Sequence, residues 1–139
     1  MNRKIIFVVI PLLGYFGLWI LGTILFLVYF DLFSVSLDLP YNTMIERIPA
    51  LLAIATVPLC SFASFFLSTR VLLRKIALDT KAAFELGVVS LISTIGLDLL
   101  ITVGIQRVDI SLFPANFMYL FAYLVIVPSV VLAAYHKHS

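Results

Sequence analysis

One acidic residue, Asp98, stands in the middle of an apolar stretch that reads TIGLDLLIT at residues 94–102. A carboxylate near the centre of a membrane helix costs about 2.5–3.5 kcal/mol on insertion scales, so the side chain is expected to face other helices rather than lipid. There it either anchors neighbouring helices through hydrogen bonds, in a protonated or water-bridged form, or it binds a cation or carries a proton. A transport route normally needs more than one titratable group, and only Glu85 accompanies Asp98 in this segment. Both interpretations remain open.

A stripe of small and hydroxyl residues lies on the same helical face as Asp98, because residues three, four, seven or eight positions apart share a face. We predict that Asp98 forms a hydrogen-bonded cluster with threonines of its own helix and with a tyrosine of a later helix. Counting the same depth along the other apolar segments adds two further threonines. The predicted polar cluster consists of Asp98, Ser90, Thr94, Thr102, Tyr119, Tyr123, Thr23 and Thr56.

Other chemistry has little support in the sequence. The two histidines, His136 and His138, lie at the very end of the chain, and the single cysteine, Cys60, allows neither an internal disulfide nor a CxxC pair. No Cys/His cluster has metal-ligand spacing, and no glycine-rich phosphate loop follows a predicted strand. We therefore expect no catalytic residues, no bound metal and no cofactor.

The segments that would position Asp98 are membrane-length. Of the 139 residues, 63% are hydrophobic and 12% are charged, whereas soluble domains have about 45–50% apolar and about 25% charged residues. Four apolar blocks, at residues 5–30, 48–73, 82–105 and 114–135, each reach the roughly 20 residues that a helix needs to cross a bilayer. We predict an all-α membrane protein, a single antiparallel bundle of four transmembrane helices. The apolar runs are continuous, which excludes a β-barrel.

The basic residues are divided unequally between the two sides of this four-span arrangement. Seven lie on the side of the termini and two on the other side. The seven are Arg3, Lys4, Arg70, Arg74, Lys75, Lys81 and Lys137, and the two are Arg47 and Arg107. Because cytoplasmic loops of membrane proteins are enriched in Lys and Arg, both termini are predicted to be cytoplasmic. The net charge of +2 thus reflects topology, and we expect no nucleic-acid partner.

The two outer connections alternate apolar and polar residues with a period of two, at residues 33–39 and 107–112. This alternation is typical of half-buried strands. We predict extended outer loops that pair as a small two-stranded ribbon over the bundle, supported by packing because two strands alone are marginally stable.

Small residues mark the faces where helices are expected to pack closely. Glycines recur in the first span, and serines recur at i, i+3 and i+7 in the second span. The predicted helix-packing residues are Gly14, Gly17, Gly22, Ser61, Ser64 and Ser68.

Four short motifs in the second half of the chain resemble those of a known group of proteins. They are Phe84-Glu85-Leu86-Gly87, Leu97-Asp98-Leu99-Leu100, Tyr119-Leu120 and Val127-Pro128. The pattern resembles a family of uncharacterised small four-span prokaryotic membrane proteins. The resemblance implies a four-helix membrane fold and a multi-pass location, in a prokaryotic cell membrane, without implying an activity.

The sequence favours a non-catalytic role. We expect a small accessory or assembly subunit that binds membrane protein partners or membrane lipids, or forms homo-oligomers. The alternative is a small ion- or proton-coupled transporter or channel organised around Asp98. A third possibility is an immunity-type protector that binds a toxin through its outer loops.

Overall fold

The computed structural model of the protein describes residues 2–101 and 117–135, and these segments are helical apart from short connections, with no strand among them. The helices, in chain order, are α1 Arg3–Leu32, α2 Tyr41–Glu46, α3 Ala50–Leu72, α4 Thr80–Asp98, α5 Phe117–Leu124 and α6 Ile126–Tyr135. Three of them are long and apolar enough to cross a membrane: α1, α3, and α4 with its continuation to Ile101. A shorter apolar helical segment, Phe121–Tyr135, completes the set. The prediction of an all-α fold with four apolar helical segments is confirmed at this level.

Helix α1 is longer than predicted and has 30 residues, which corresponds to about 45 Å of helix. It begins where the Asn2 side chain accepts a hydrogen bond from the backbone N–H of Lys4 at 3.2 Å. It ends where Ser34 takes a positive φ of 53° and the N–H of Val35 turns back to the carbonyl of Phe30 at 2.8 Å. Pro11 is accommodated inside the helix and is buried.

The extended conformation predicted for residues 33–39 is wrong, because this connection is built from turns. Val35 is buried in the core beside Phe30, whereas Leu37 is 64% exposed. The alternating apolar residues therefore do not pack together against the bundle, as those of a half-buried strand would. Turns at the end of α1 satisfy part of the backbone of this connection, since the N–H groups of Ser34 and Val35 bond the carbonyls of Asp31 and Phe30. The short helix α2, which the sequence did not predict, follows this connection. The partner segment, residues 107–112, lies outside the described residues. Its conformation stays a prediction, as does the binding of a toxin by the outer loops, whereas residues 33–39 do not supply a strand for the ribbon.

The fourth apolar segment was predicted as one helix over residues 114–135, but its described part is divided into α5 and α6 at Val125. Pro128 explains the division, because proline has no N–H to donate to the carbonyl of Leu124, where α5 ends. Hydrogen bonds still cross the junction, since the N–H of Ser129 reaches the carbonyl of Val125 at 3.0 Å. Residues 114–116 lie outside the described segments.

Two apolar clusters show how the helices run. One cluster joins the beginning of α1 to the end of α3, the beginning of α4 and the end of α6, so successive long segments run antiparallel. Its buried members are Ile6, Ile10, Phe65, Leu73, Leu78, Ala82, Ala83, Leu86, Ile126, Val130 and Ala134. The second cluster joins the end of α1 to the beginning of α3. Its buried members are Phe26, Phe30, Val35, Ile48 and Ala53.

Glycines set the distance between α1 and α3 at two of the three predicted positions. A Cβ added at Gly14 would overlap the ring of Phe65, and one at Gly17 would overlap the hydroxyl of Ser64. Gly22 has nothing within 4 Å of the corresponding position, so it does not take part in this contact. Helix α4 approaches α6 in the same way at Gly87, where an added Cβ would lie 3.1 Å from Cγ1 of Val127.

We expect Gly14→Ala to destabilise the fold by about 1–3 kcal/mol, because the fully buried Phe65 ring has no free space into which to move. Gly22→Ala in the same helix is the matched control and should be neutral or slightly stabilising, since alanine favours helix and meets no neighbour. Thermal unfolding of the purified variants in mild detergent measures both effects. Equal melting temperatures for the two variants would contradict the close contact at Gly14.

Candidate functional site

The carboxyl group of Asp98 is buried at the end of α4 and is 3% exposed. The Tyr15 hydroxyl of α1 donates a hydrogen bond to Oδ1 at 2.9 Å. The Tyr123 hydroxyl of α5 donates to the other oxygen, Oδ2. A single carboxyl group therefore ties three helices together, and each of its oxygens has a hydroxyl donor.

The Trp19 side chain of α1 also lies near the Asp98 carboxyl group. Trp19 lies one helical turn after Tyr15, so both point from the same face of α1. Their rings contact edge to face, with centroids 6.2 Å apart. A tyrosine hydroxyl can donate and a carboxyl oxygen can accept, so each carboxyl oxygen is matched to its tyrosine. We call Asp98, Tyr15, Trp19 and Tyr123 the Asp98 cluster.

Two serines of α3 form hydrogen bonds to the residues that immediately precede Tyr15 and Tyr123. The Ser64 hydroxyl donates to the carbonyl of Gly14 at 2.7 Å, next to Tyr15. The Ser61 hydroxyl donates to the carbonyl of Ala122 at 2.9 Å, next to Tyr123. Because the two serines are one turn apart, α3 fixes α1 and α5 at neighbouring heights. Helix α3 thus supports the Asp98 cluster without contributing a donor to the carboxyl group itself.

The structure brings Asp98 and Tyr123 together as the sequence predicted, but it places most of the predicted threonines elsewhere. The Thr94 hydroxyl donates to the carbonyl of Ser90 at 2.8 Å, one turn earlier in its own helix. The Thr56 hydroxyl bonds the Leu52 carbonyl at 2.6 Å and the Tyr29 hydroxyl at 2.9 Å. These bonds satisfy the threonines locally, which is common for hydroxyl residues in helices.

The other predicted residues fall into three groups. Thr23 is exposed on the outer side of α1 and does not reach the cluster, and Ser68 is half-buried. Ser90 is fully buried on the face of α4 that carries Asp98, and its hydroxyl has no partner within residues 2–101 and 117–135. Thr102 and the side chain of Tyr119 lie outside the described part of the structure.

The predicted cluster did not include Tyr15 and Trp19, because residues of equal depth were identified by counting from the outer end of each apolar segment. Tyr15 lies near the middle of α1, whereas Asp98 is the last residue of α4. The two helices are therefore offset along their axes, and equal counts do not give equal heights. The available signal was the i, i+4 spacing of two polar aromatics on the first span, which both need hydrogen-bond partners when buried.

Other candidate sites in the described segments are a free thiol and a cavity. No group of three or more His, Cys, Asp or Glu side chains is positioned to hold a metal ion in the described segments. Cys60 is buried as a free thiol. A cavity of about 470 Å³ is found away from Asp98, at the opposite end of α4, where Leu78, Asp79 and Tyr135 contribute to its wall. The chemistry available at Asp98 is hydrogen bonding between helices.

The backbone of α4 changes immediately after Asp98, where residues 99–101 form a π-helical turn. Wider turns of this kind shift the side chains that follow them and occur frequently at functional sites. Here the turn begins directly beside the residue that accepts the hydrogen bonds.

Comparison of the chain with protein-family models, with curated proteins and with solved structures finds no match to any of them. The resemblance to small four-span prokaryotic membrane proteins therefore stays a prediction. The geometry of the Asp98 cluster and the surface around it are the observations that bear on function.

We expect Asp98→Ala to lower the melting temperature strongly, because it leaves the Tyr15 and Tyr123 hydroxyls without their acceptor. An unsatisfied buried polar group costs about 1–3 kcal/mol. Asp98→Asn should cost less, since the amide keeps one acceptor oxygen and a tyrosine hydroxyl is able to accept from its NH₂ group. Tyr15→Phe should be intermediate.

Thermal unfolding in mild detergent, followed by far-UV circular dichroism, measures these differences. Tyr29→Phe is the matched control, because it removes a partly buried tyrosine hydroxyl that bonds Thr56 rather than Asp98. A melting temperature for Asp98→Ala equal to that of the unsubstituted protein would contradict the structural role of the cluster.

Proposed function

We propose that the protein is a multi-pass membrane protein with four spans and with both termini in the cytoplasm. The fourth span is the segment that contains α5 and α6. The apolar cluster at the beginning of α1 also includes residues from the end of α3 and the beginning of α4. The basic residues at these helix ends are Arg3, Lys4, Arg70, Arg74 and Lys81. One end of the bundle is therefore basic, which supports a cytoplasmic position for that end.

We propose that the protein acts without catalysis, as a small accessory or assembly subunit that binds a membrane protein partner. The observation that carries this proposal is that both carboxyl oxygens of Asp98 are bonded to tyrosine hydroxyls of its own chain. A carboxyl group with all its contacts made internally is suited to holding a bundle in one shape. Recognition then falls to the outer surface of the helices.

The outer surface of α1 supports this proposal. Gly22 and Thr23 interrupt a row of exposed large apolar side chains, and the space beside Gly22 is open. Small and hydroxyl residues are typical of contacts between membrane helices, because they allow backbones to approach closely. Gly96 of α4 is also open on the outside, which provides a second, independent position for comparison.

We expect gentle extraction from the native membrane to yield a hetero-complex, which native mass spectrometry can weigh and whose chains can be identified. Gly22→Leu should release the partner without unfolding the protein, because no atom of the described segments lies within 4 Å of the added side chain's first carbon. Gly96→Leu is the matched control on α4 and should leave the complex intact. A lone monomer or a homo-oligomer in every preparation would contradict the accessory role.

Ion or proton transport organised around Asp98 is the second candidate function, and two observations favour it. The buried Ser90 hydroxyl has no partner in the described segments, although it lies on the Asp98 face two turns away. Unpartnered buried hydroxyls often bind internal water. The π-helical turn after Asp98 is the other observation.

Transport predicts that purified protein in proteoliposomes gives a pH- or cation-dependent flux that Asp98→Asn abolishes while the fold is kept. Thr56→Val is a suitable control, because Thr56 bonds Tyr29 and Leu52 rather than Asp98. Absence of flux in the unsubstituted protein, or an unchanged flux in Asp98→Asn, would contradict this function.

A further inference from the structure

One outward face of α3 carries two aromatic and two basic residues, each four positions after the last. They are Phe62, Phe66, Arg70 and Arg74. The rings of Phe62 and Phe66 stack with centroids 5.5 Å apart and planes inclined by 18°. The Arg70 guanidinium lies over the Phe66 ring, with Cζ 5.9 Å from its centroid. Arg74 follows one turn later, in the 3₁₀ turn that extends α3.

The two guanidinium groups are exposed, whereas the two rings are half-buried. Within residues 2–101 and 117–135 neither arginine forms an ion pair with an acidic side chain. Asp79, the acid nearest to them in sequence, accepts a hydrogen bond from the backbone N–H of Ala82 at 2.7 Å and caps α4. This face therefore presents two positive charges that the described part of the protein does not neutralise.

The spacing of these residues matches the shape of a phospholipid. Eight residues of helix separate Phe62 from Arg70, which corresponds to about 12 Å along the axis. An acyl chain that runs beside the rings would place its phosphate level with the guanidinium groups at the basic end. Arginine is suited to phosphate because its planar fork donates two parallel hydrogen bonds.

We propose that this face of α3 binds an anionic phospholipid, with the phosphate on Arg70 and Arg74 and an acyl chain along Phe66 and Phe62. The Phe66 ring holds the Arg70 guanidinium in position through a cation–π contact before the lipid arrives, which lowers the cost of ordering it. Two basic residues at the cytoplasmic surface also match the negative charge of that leaflet. We call these four residues the lipid face.

The lipid face rests on the proposed membrane location but not on the proposed protein partner. It lies on α3, whereas the partner surface lies on α1 around Gly22 and Thr23. Lipid binding is measured on the purified protein alone, so failure of one proposal leaves the other standing.

The test is native mass spectrometry of the purified protein titrated with phosphatidylglycerol or with phosphatidylcholine of the same acyl chains. The unsubstituted protein should prefer phosphatidylglycerol. Arg70→Gln and Arg74→Gln should each weaken phosphatidylglycerol binding about fivefold, while phosphatidylcholine binding stays the same. Far-UV circular dichroism and size-exclusion chromatography establish that each variant is folded.

Arg3→Gln is the matched control, because Arg3 is an exposed arginine at the same end of the bundle but on α1. It should change phosphatidylglycerol binding by less than about twofold, well below the effect expected for either α3 arginine. An equal loss in Arg3→Gln would overturn the proposal in favour of diffuse attraction to the basic end. No loss in either α3 variant would overturn it outright.

Two further arms identify what the face binds. Glycerol phosphate at the same concentration should not displace the lipid, because it lacks the acyl chain that lies on the rings. Phe66→Leu should weaken binding by a smaller factor than Arg70→Gln, since it removes the ring but keeps both charges. Co-isolation of a second protein chain that Arg70→Gln releases would overturn the lipid assignment.

Discussion

A carboxyl group enclosed by apolar helices must obtain its hydrogen bonds from the protein, because no solvent is available to supply them. Asp98 meets this constraint with hydroxyl donors from α1 and α5. Each of these helices is thereby held at one height and one rotation relative to α4. A helix that turned or slid by one residue would leave both the carboxyl group and its donor unpaired.

The apolar packing is arranged around this polar level. On the side where α1 begins, all the long helical segments contribute to one cluster. On the side where α1 ends, the members of the second cluster among the described residues come from α1, α3 and the residues between them. Serines of α3 bond to the backbone beside each tyrosine, so the helix that does not touch the carboxyl group still determines where its donors stand. Between membrane helices the hydrophobic effect supplies little driving force, so close packing and interhelical hydrogen bonds hold the bundle together. The hydrogen bonds select one arrangement among many that would pack similarly.

Much of the fold was predictable because it follows from one-dimensional properties. Continuous apolar segments predicted the four apolar helical segments, of which three are long enough to span a membrane. The stripe of small residues beside Asp98 predicted its inward orientation. The fourth-segment tyrosine at Asp98 followed from the same reasoning. The predictions that failed depend on how the helices are placed relative to one another in three dimensions. Tyr15 was missed because α1 and α4 are staggered along their axes, and Thr94 bonds its own helix instead of Asp98.

The prediction of an extended conformation for the outer connection, residues 33–39, failed for a related reason. Its period-two pattern predicts a strand only if a second strand or a surface is available beside it. In the structure Val35 instead packs under the end of α1, and the backbone closes in turns. The division of the fourth segment at Val125 was in principle readable, since Pro128 removes a donor three residues later.

The order of the partners along the chain has a consequence for how the protein is made. Tyr15 precedes Asp98 by 83 residues and Tyr123 follows it by 25. Because a ribosome delivers the N-terminal helix first, α1 is already in place when α4 emerges with its acidic residue. The nascent chain therefore already contains one hydrogen-bond donor for Asp98, the Tyr15 hydroxyl, and Tyr123 supplies the second donor when the last segment is made. A protein that places its donor ahead of its acid avoids leaving an unpaired carboxyl group in the bilayer at any stage of synthesis.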